Sequence, residues 1–349
     1  MGKQLEEILV MRPILICVLL IGYHAFAPWG GVWNMPQSIA GETVEAYFWL
    51  DKFFYSFMLE AFTFISGYLF AFQLVSLKKN YTLWGLICNK LKRLIVPSLV
   101  FSVLYSFLSY NWNKNLLNYI YDVICGLGHL WFLPMLFWCF IFVWLIEKLS
   151  ISKWVKLFVL LIVSIVFYGY EQILPFRLGY SLYYLFYFYL AFCVFQHKDR
   201  IVVRLAHNKS IIILLLLFII SFVVFTIMPD WINKIDNGTL AFYIFRGGLG
   251  HVSRTIYSTL GLMTFYLLVM KCLCQGNKPS NLLIWLNPLC MGIYIVHNFV
   301  IRAMYDISNL PELLGTFWLP WVGYCVALIS SIIVSFIMRR TRIGKILIG

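Results

Sequence analysis

Charge is what this chain lacks. Asp, Glu, Lys and Arg supply 12% of its 349 residues, and only 14 of them are acidic, against roughly a quarter charged in a soluble domain. A water-facing surface for a fold of this length cannot be built from so few charges. Paired cysteines at metal-site spacing are also missing. The nine cysteines are scattered, most of them inside apolar runs (Cys17, Cys139, Cys193, Cys290, Cys325), and Cys272-x-Cys274 is too short a pattern for zinc. Packing accounts for them, so no metal site and no disulfide are expected. The chain has no phosphate or dinucleotide glycine loop, no Gly-x-Ser-x-Gly elbow and no His-Glu-x-x-His helix. Any chemistry must therefore be assembled from side chains within the apolar segments.

Those segments dominate what is present. Hydrophobic residues reach 62% and mean hydropathy is +0.86. A helix needs ~20 residues to cross ~30 Å of hydrocarbon, and runs long enough for this fall at 13–29, 51–77, 94–111, 130–148, 155–171, 179–196, 210–228, 252–274, 282–303 and 318–338. They are too continuous for the alternating strands of an outer-membrane barrel. The expected fold is all-α: a polytopic integral membrane bundle of about ten transmembrane helices, forming one membrane-embedded domain over 1–349. A polar loop follows the first span where a signal peptide would carry a small-residue cleavage site, so that span is expected to be retained.

The net charge of +13 reads as topology. Lys and Arg collect in alternate connections, at Lys78, Lys79, Lys90, Lys92 and Arg93, at Lys148, Lys153 and Lys156, at Lys198, Arg200, Arg204 and Lys209, and at Arg339, Arg340, Arg342 and Lys345. The opposite connections hold fewer: Lys52, Lys114, Arg177, Lys234, Arg246, Arg254 and Arg302. The positive-inside rule then puts both termini in the cytoplasm, in a cell inner membrane. Contact with anionic lipids follows, and nucleic acid is not an expected partner.

Polar groups inside such spans are costly and need a reason. His24 lies in the first span; with Pro13 expected in the opening turn, where its missing N–H is harmless, Arg12 marks the inner boundary. Twelve steps at 1.5 Å put His24 ~18 Å along the axis. A nucleotide-bearing donor held at the rim would reach it only through a long thin arm, as the phosphopantetheine of coenzyme A provides. In Glu60-Ala-Phe-Thr-Phe-Ile-Ser66-Gly67-Tyr68, Glu60 is a second intramembrane ionisable group, and Ser66 and Gly67 allow close approach by a helix or a thin ligand. Lys90-Leu-Lys92-Arg93 is either an inner anchor or a clamp for the phosphates of coenzyme A. His129 and Trp131 open the fourth span, near the outer interface. His297 is buried in the ninth, either bonded to a backbone carbonyl or catalytic.

Together these stretches resemble the acyltransferase-3 family of bacterial membrane proteins, which acylate surface carbohydrates. The resemblance runs through Arg12…His24, Phe-Ile-Ser66-Gly67-Tyr68-Leu, Lys90-Leu-Lys92-Arg93-Leu-Ile-Val-Pro97, His129-Leu-Trp131-Phe-Leu-Pro134, Tyr183-Tyr-Leu-Phe-Tyr-Phe-Tyr189 and Gly292-Ile-Tyr294-Ile-Val-His297. It implies ten core helices that bring an acyl group from cytoplasmic acyl-CoA, acetyl-CoA being the commonest donor, to an outer hydroxyl. It further implies an essential role for His24 and donor-handling roles for Arg12, Lys90 and Arg93. One departure concerns Arg12. The family places its basic residue eleven positions before the histidine, whereas the interval here is twelve, which leaves the two rotated by ~120° in an ideal helix.

The expected chemistry is acyl transfer to an alcohol. His24 takes the hydroxyl proton as the oxygen attacks the thioester, then returns a proton to the thiolate. Glu60 is either a charged neighbour of His24 or a packing residue. Ser66, Tyr68, Tyr294 and His297 are candidates to bond the oxyanion, and a covalent acyl-enzyme is a further route. In Arg246-Gly-Gly-Leu-Gly-His251-Val-Ser-Arg254, either a re-entrant segment or a flexible loop would offer Arg246, His251 and Arg254 to a carbohydrate or glycolipid acceptor. A second copy of the chain or an envelope-assembly protein is a possible partner. The rival reading is a saccharide transporter or flippase, although no internal repeat supports it; a non-catalytic scaffold is a third.

Overall fold

A computed structural model describes residues 5–42, 44–109, 112, 115–234 and 240–348; the side chains at 23, 229–234 and 240–245 lie outside the described residues. Lys114 and the side chain of Lys234, assigned above to the outer face, fall outside them, as do the last two residues of the 94–111 span. Among the described residues every regular element is a helix.

Eight of these helices are long and apolar enough to cross a membrane: Glu45–Ser76, Leu83–Ser109, Gly128–Glu147, Leu178–Gln196, Asn208–Met228, Arg246–Cys274, Asn281–Ile307 and Leu310–Arg340. Each coincides with an expected span. The other two expected spans are shorter. Lys153–Phe167 has 15 residues, about 22 Å of helix, and Glu6–Leu19 is α-helical over 14 residues before a π segment takes over at Leu20–Ala25. Apolar side chains point outward in stripes, as at Ile329, Ile333 and Ile337. A four-residue period on one helix face is what a lipid-facing surface requires, because hydrocarbon replaces water as the solvent there.

The chain divides into two compact units: residues 1–11, 56–81 and 138–278 form one, and residues 12–55, 82–137 and 279–349 the other. In the first, Met58–Ala71 packs along Leu178–Gln196, and Asn208–Lys234 along Leu240–Cys274. Small residues set the closest approach. A Cβ at Gly67 would stand 2.1 Å from the Phe188 carbonyl oxygen, so only glycine lets these backbones meet. In the second unit Cys290–Arg302 packs against Leu310–Arg340, and a Cβ at Gly292 would stand 2.4 Å from Ser335 Oγ.

Two sequence expectations are corrected. Pro13 is not in the opening turn: the helix begins at Glu6 and carries Pro13 in its interior, a placement that transmembrane helices accommodate by local adjustment of the backbone. The glycine-rich stretch from Arg246 to Arg254 is neither loop nor re-entrant segment but part of one continuous helix, Leu240–Cys274. Apolar surroundings leave its backbone no water to bond, and an intrahelical ladder satisfies every group even where glycine propensity is poor.

Candidate active site

The second unit brings three histidines together. His24 sits on the π segment Leu20–Ala25, His297 midway along Cys290–Arg302, and His129 in the 3-10 turn Gly128–Trp131. That turn is reached through Gly126 and Gly128 at φ 82° and 54°, left-handed values that glycine adopts without penalty. A Cβ at Gly128 would also strike the Tyr105 ring at 2.6 Å. Ring centroids of His24 and His297 are 4.3 Å apart, and His129 lies 5.7 Å and 5.3 Å from them. All three rings are buried. His129, read from the sequence as lying near the outer interface, has its ring inside the unit.

Hydrogen bonds fix the arrangement. His297 Nε2 and His24 Nδ1 are 2.7 Å apart, and His297 Nδ1 is 2.8 Å from the Ile293 carbonyl oxygen. His129 Nε2 is 3.0 Å from the Ile295 carbonyl oxygen. The Asn298 amide donates to His129 Nδ1 and to the Tyr105 hydroxyl, at 3.0 Å each. The Tyr294 hydroxyl donates to the His129 carbonyl, and the Tyr305 hydroxyl donates to the Ala25 carbonyl at 2.6 Å, tying down the end of the π segment. Trp33 stands 5.3 Å from the His24 ring and carries the Arg302 guanidinium 4.3 Å from its own centroid; Arg302 is also bonded to Asp306 at 3.0 Å. These bonds make the cluster a hydrogen-bond network. Among the described residues no group of His, Cys, Asp or Glu is arranged to hold a metal ion.

The π segment resolves the spacing of Arg12. Its bonds close over five residues, as from the Phe26 N–H to the Ile21 carbonyl at 3.3 Å, and one such turn absorbs about one residue relative to an α-helix. The twelve-residue interval then equals about eleven α-helical steps, which returns Arg12 and His24 to within about 20° of one face. Arg12 is half-buried and within electrostatic range of Cys290, at the start of the His297 helix. Lys90 is buried at a helix end, whereas Lys92 and Arg93 are exposed on the π segment Leu91–Ile95, against which the helix Arg342–Ile348 packs. Trp131 is half-buried in the turn that carries His129.

The remaining candidates belong to the first unit. Glu60 is paired there: its Oε1 accepts from Arg254 Nη2 at 3.0 Å and from the Tyr183 hydroxyl at 2.8 Å. Arg254 in turn donates to the Tyr257 hydroxyl at 3.3 Å. Glu60, read from the sequence as either a charged neighbour of His24 or a packing residue, and Arg254, a candidate for the acceptor, are thus partners of each other. The Ser66 hydroxyl donates back to the Phe62 carbonyl at 3.1 Å, and the face of Gly67 is closed by Phe188, which leaves no room there for a thin ligand. Tyr68 donates to Glu7 at 2.8 Å, and Lys198 pairs with the same oxygen at 2.7 Å. His251 is half-buried beside Tyr168 and Tyr170, at ring distances of 5.4 Å and 5.6 Å. Arg246 is half-buried in the same helix.

Sequence reasoning passed over Tyr105, Asn298, Tyr305, Trp33 and Arg302. Asn298 carries a usable signal, an amide beside a histidine within an apolar run; Arg302 reads in the sequence only as one of the outer-face charges.

The arrangement is suited to taking up and returning a proton in a dry interior. No curated protein and no solved structure matches the chain. The acyltransferase-3 family model, an acyltransferase domain, matches residues 10–340. That span holds every residue of the histidine network and nearly the whole chain, so the protein belongs to the acyltransferase-3 family and is a multi-pass membrane acyltransferase.

Proposed function

We propose that the protein is an O-acyltransferase that moves an acyl group, acetyl first among the candidates, from cytoplasmic acyl-CoA to a hydroxyl of a surface polysaccharide or glycolipid. The observation that carries this reading is the bonded pair His24–His297 at 2.7 Å, buried in a chain of this family. A buried imidazole within reach of a thioester and an alcohol is the group such a transfer needs. The acceptor oxygen bonds to the thioester carbon as its proton passes to His24; the carbon–sulfur bond then breaks, and the proton goes to the departing thiolate. Products are an ester and free coenzyme A.

Arg12, Lys90, Lys92 and Arg93 are the proposed donor-side contacts. They share the unit of the histidines, and Arg and Lys at an inner rim match the phosphates of coenzyme A. Trp131, half-buried in the turn that carries His129, is the proposed acceptor-side contact in the same unit. The bias of Lys and Arg toward alternate connections supports a cell inner membrane with both termini cytoplasmic. Association with a second copy or an envelope-assembly partner belongs to the same proposal.

The test uses membranes containing the protein, radiolabelled acetyl-CoA and a surface-glycan extract. Label entering alkali-labile ester with wild type, and not with His24→Ala at matched expression, supports the reading. Equal labelling by both removes His24 from the reaction.

A further inference from the structure

We infer that His297 is a positioning residue that fixes the tautomer of His24, leaving His24 Nε2 as the atom that exchanges the proton. This rests on the acyl-transfer reading above and adds which ring nitrogen acts and why.

The argument begins with what each partner can do. A carbonyl oxygen only accepts, so His297 Nδ1, 2.8 Å from the Ile293 oxygen, carries the ring's hydrogen. A neutral imidazole has one N–H, which makes His297 Nε2 an acceptor. Its neighbour at 2.7 Å, His24 Nδ1, must then be the donor. The lone pair of His24 is left on Nε2. The same reasoning fixes the third ring: His129 Nε2 donates to the Ile295 oxygen, so its Nδ1 accepts from the Asn298 amide. The second amide N–H of Asn298 reaches the Tyr105 hydroxyl. Two carbonyls of one helix, at Ile293 and Ile295, thereby set the protonation of three rings.

The consequence for the reaction is specific. As the acceptor oxygen bonds to the acyl carbon, its proton moves to His24 Nε2. When the carbon–sulfur bond breaks, that proton moves on to the thiolate. The Nδ1 hydrogen stays in place throughout, and while His24 is cationic its bond to His297 becomes charge-assisted. In hydrolytic triads a carboxylate orients the imidazole in this way; here a neutral ring does so. His297, so placed, has no hydrogen to offer an oxyanion and no lone pair to act as a second base, and the role proposed for it is positioning.

Nitrogen-15 NMR of histidine-labelled protein in lipid bilayers, with the six histidines assigned through single replacements, reads the tautomers directly. The expected result is Nδ1–H for His24 and His297 and Nε2–H for His129, with His24 losing its single tautomer in His297→Leu. An Nε2–H His24 in the wild type overturns the inference whether or not acyl transfer is detected. Acyl-transfer rates supply the second arm. His297→Gln, which can still accept from His24, should stay within about tenfold of wild type, while His297→Leu should lose roughly 100-fold in kcat, both with the KM for acetyl-CoA changed less than about twofold. Equal inactivity of the two variants, with thermal unfolding unchanged, would route the proton through His297 and reject a positioning role. An absence of labelled ester with wild type, beside the expected tautomers, would strike the acyl-CoA reading and leave the tautomer assignment standing.

Discussion

In one unit of the molecule the Glu60 carboxylate, 0% exposed, meets the Arg254 guanidinium at 3.0 Å. In the other, two imidazoles, His24 and His297, bond to each other, and a third, His129, packs beside them; an amide and two backbone carbonyls complete the network. Both solutions bury ionisable groups among apolar helices, yet they have different uses. An ion pair is complete in itself: remove either partner and an uncompensated charge remains, costing about 3–5 kcal/mol. A neutral network is held by bonds worth about 1 kcal/mol each, and a ring in it can gain and lose a proton without abandoning its partners. The first is a lock between helices. The second can do proton chemistry.

The sharpest way to break that contrast is to remove the proton acceptor. His24→Ala should lower acyl transfer by at least about a thousandfold while unfolding in detergent stays within a few degrees of wild type, as measured by labelled ester and a thermal melt.

Glu60→Gln should do the reverse. It leaves Arg254 buried beside a neutral amide, so stability should fall by about 3–5 kcal/mol. Glu60→Gln/Arg254→Met should recover most of that loss, with transfer rates near wild type wherever the protein is folded. A folded Glu60→Gln variant that transfers no acyl group would put the carboxylate back into catalysis.

Gly67→Ala tests whether the Ser66-Gly67 site is helix packing. The added methyl meets the Phe188 carbonyl at 2.1 Å, so a loss of about 1–3 kcal/mol is expected, and the KM for acetyl-CoA in the surviving fraction should not change. The smallest effect belongs to the basic rim. Replacing Lys90 and Arg93 by Ala should raise the KM for acetyl-CoA about tenfold, roughly 1.4 kcal/mol, with kcat retained and the salt dependence of binding reduced.

Part of the candidate site is legible in the sequence. His24 and His297 stood out because an ionisable group in a span needs a reason to be there, and the structure pairs them across 273 positions of sequence. Glu60 drew notice on the same ground, but its partner was beyond inference: Arg254 lies 194 positions away, in a stretch whose glycines suggested a loop. Glycine lowers helix propensity by about 1 kcal/mol per residue, and the continuous helix Leu240–Cys274 forms in spite of it. Gly67 was rightly read as a point of close approach, although the sequence left open what approaches it.

Composition and hydropathy were sufficient to establish an α-helical membrane protein, because the demand that every backbone group be satisfied without water leaves few alternatives to long apolar helices. The order of short motifs was sufficient to identify the family. Tertiary structure alone decided which polar residues are partners, since hydrogen bonds of about 3 Å between distant helices leave no trace in local sequence. It also set the backbone path between Arg12 and His24. A π turn at Leu20–Ala25 offsets the one-residue mismatch with His24, and contacts distant in sequence hold it: Gly22 lies close against Phe54, and the Tyr305 hydroxyl donates to the Ala25 carbonyl.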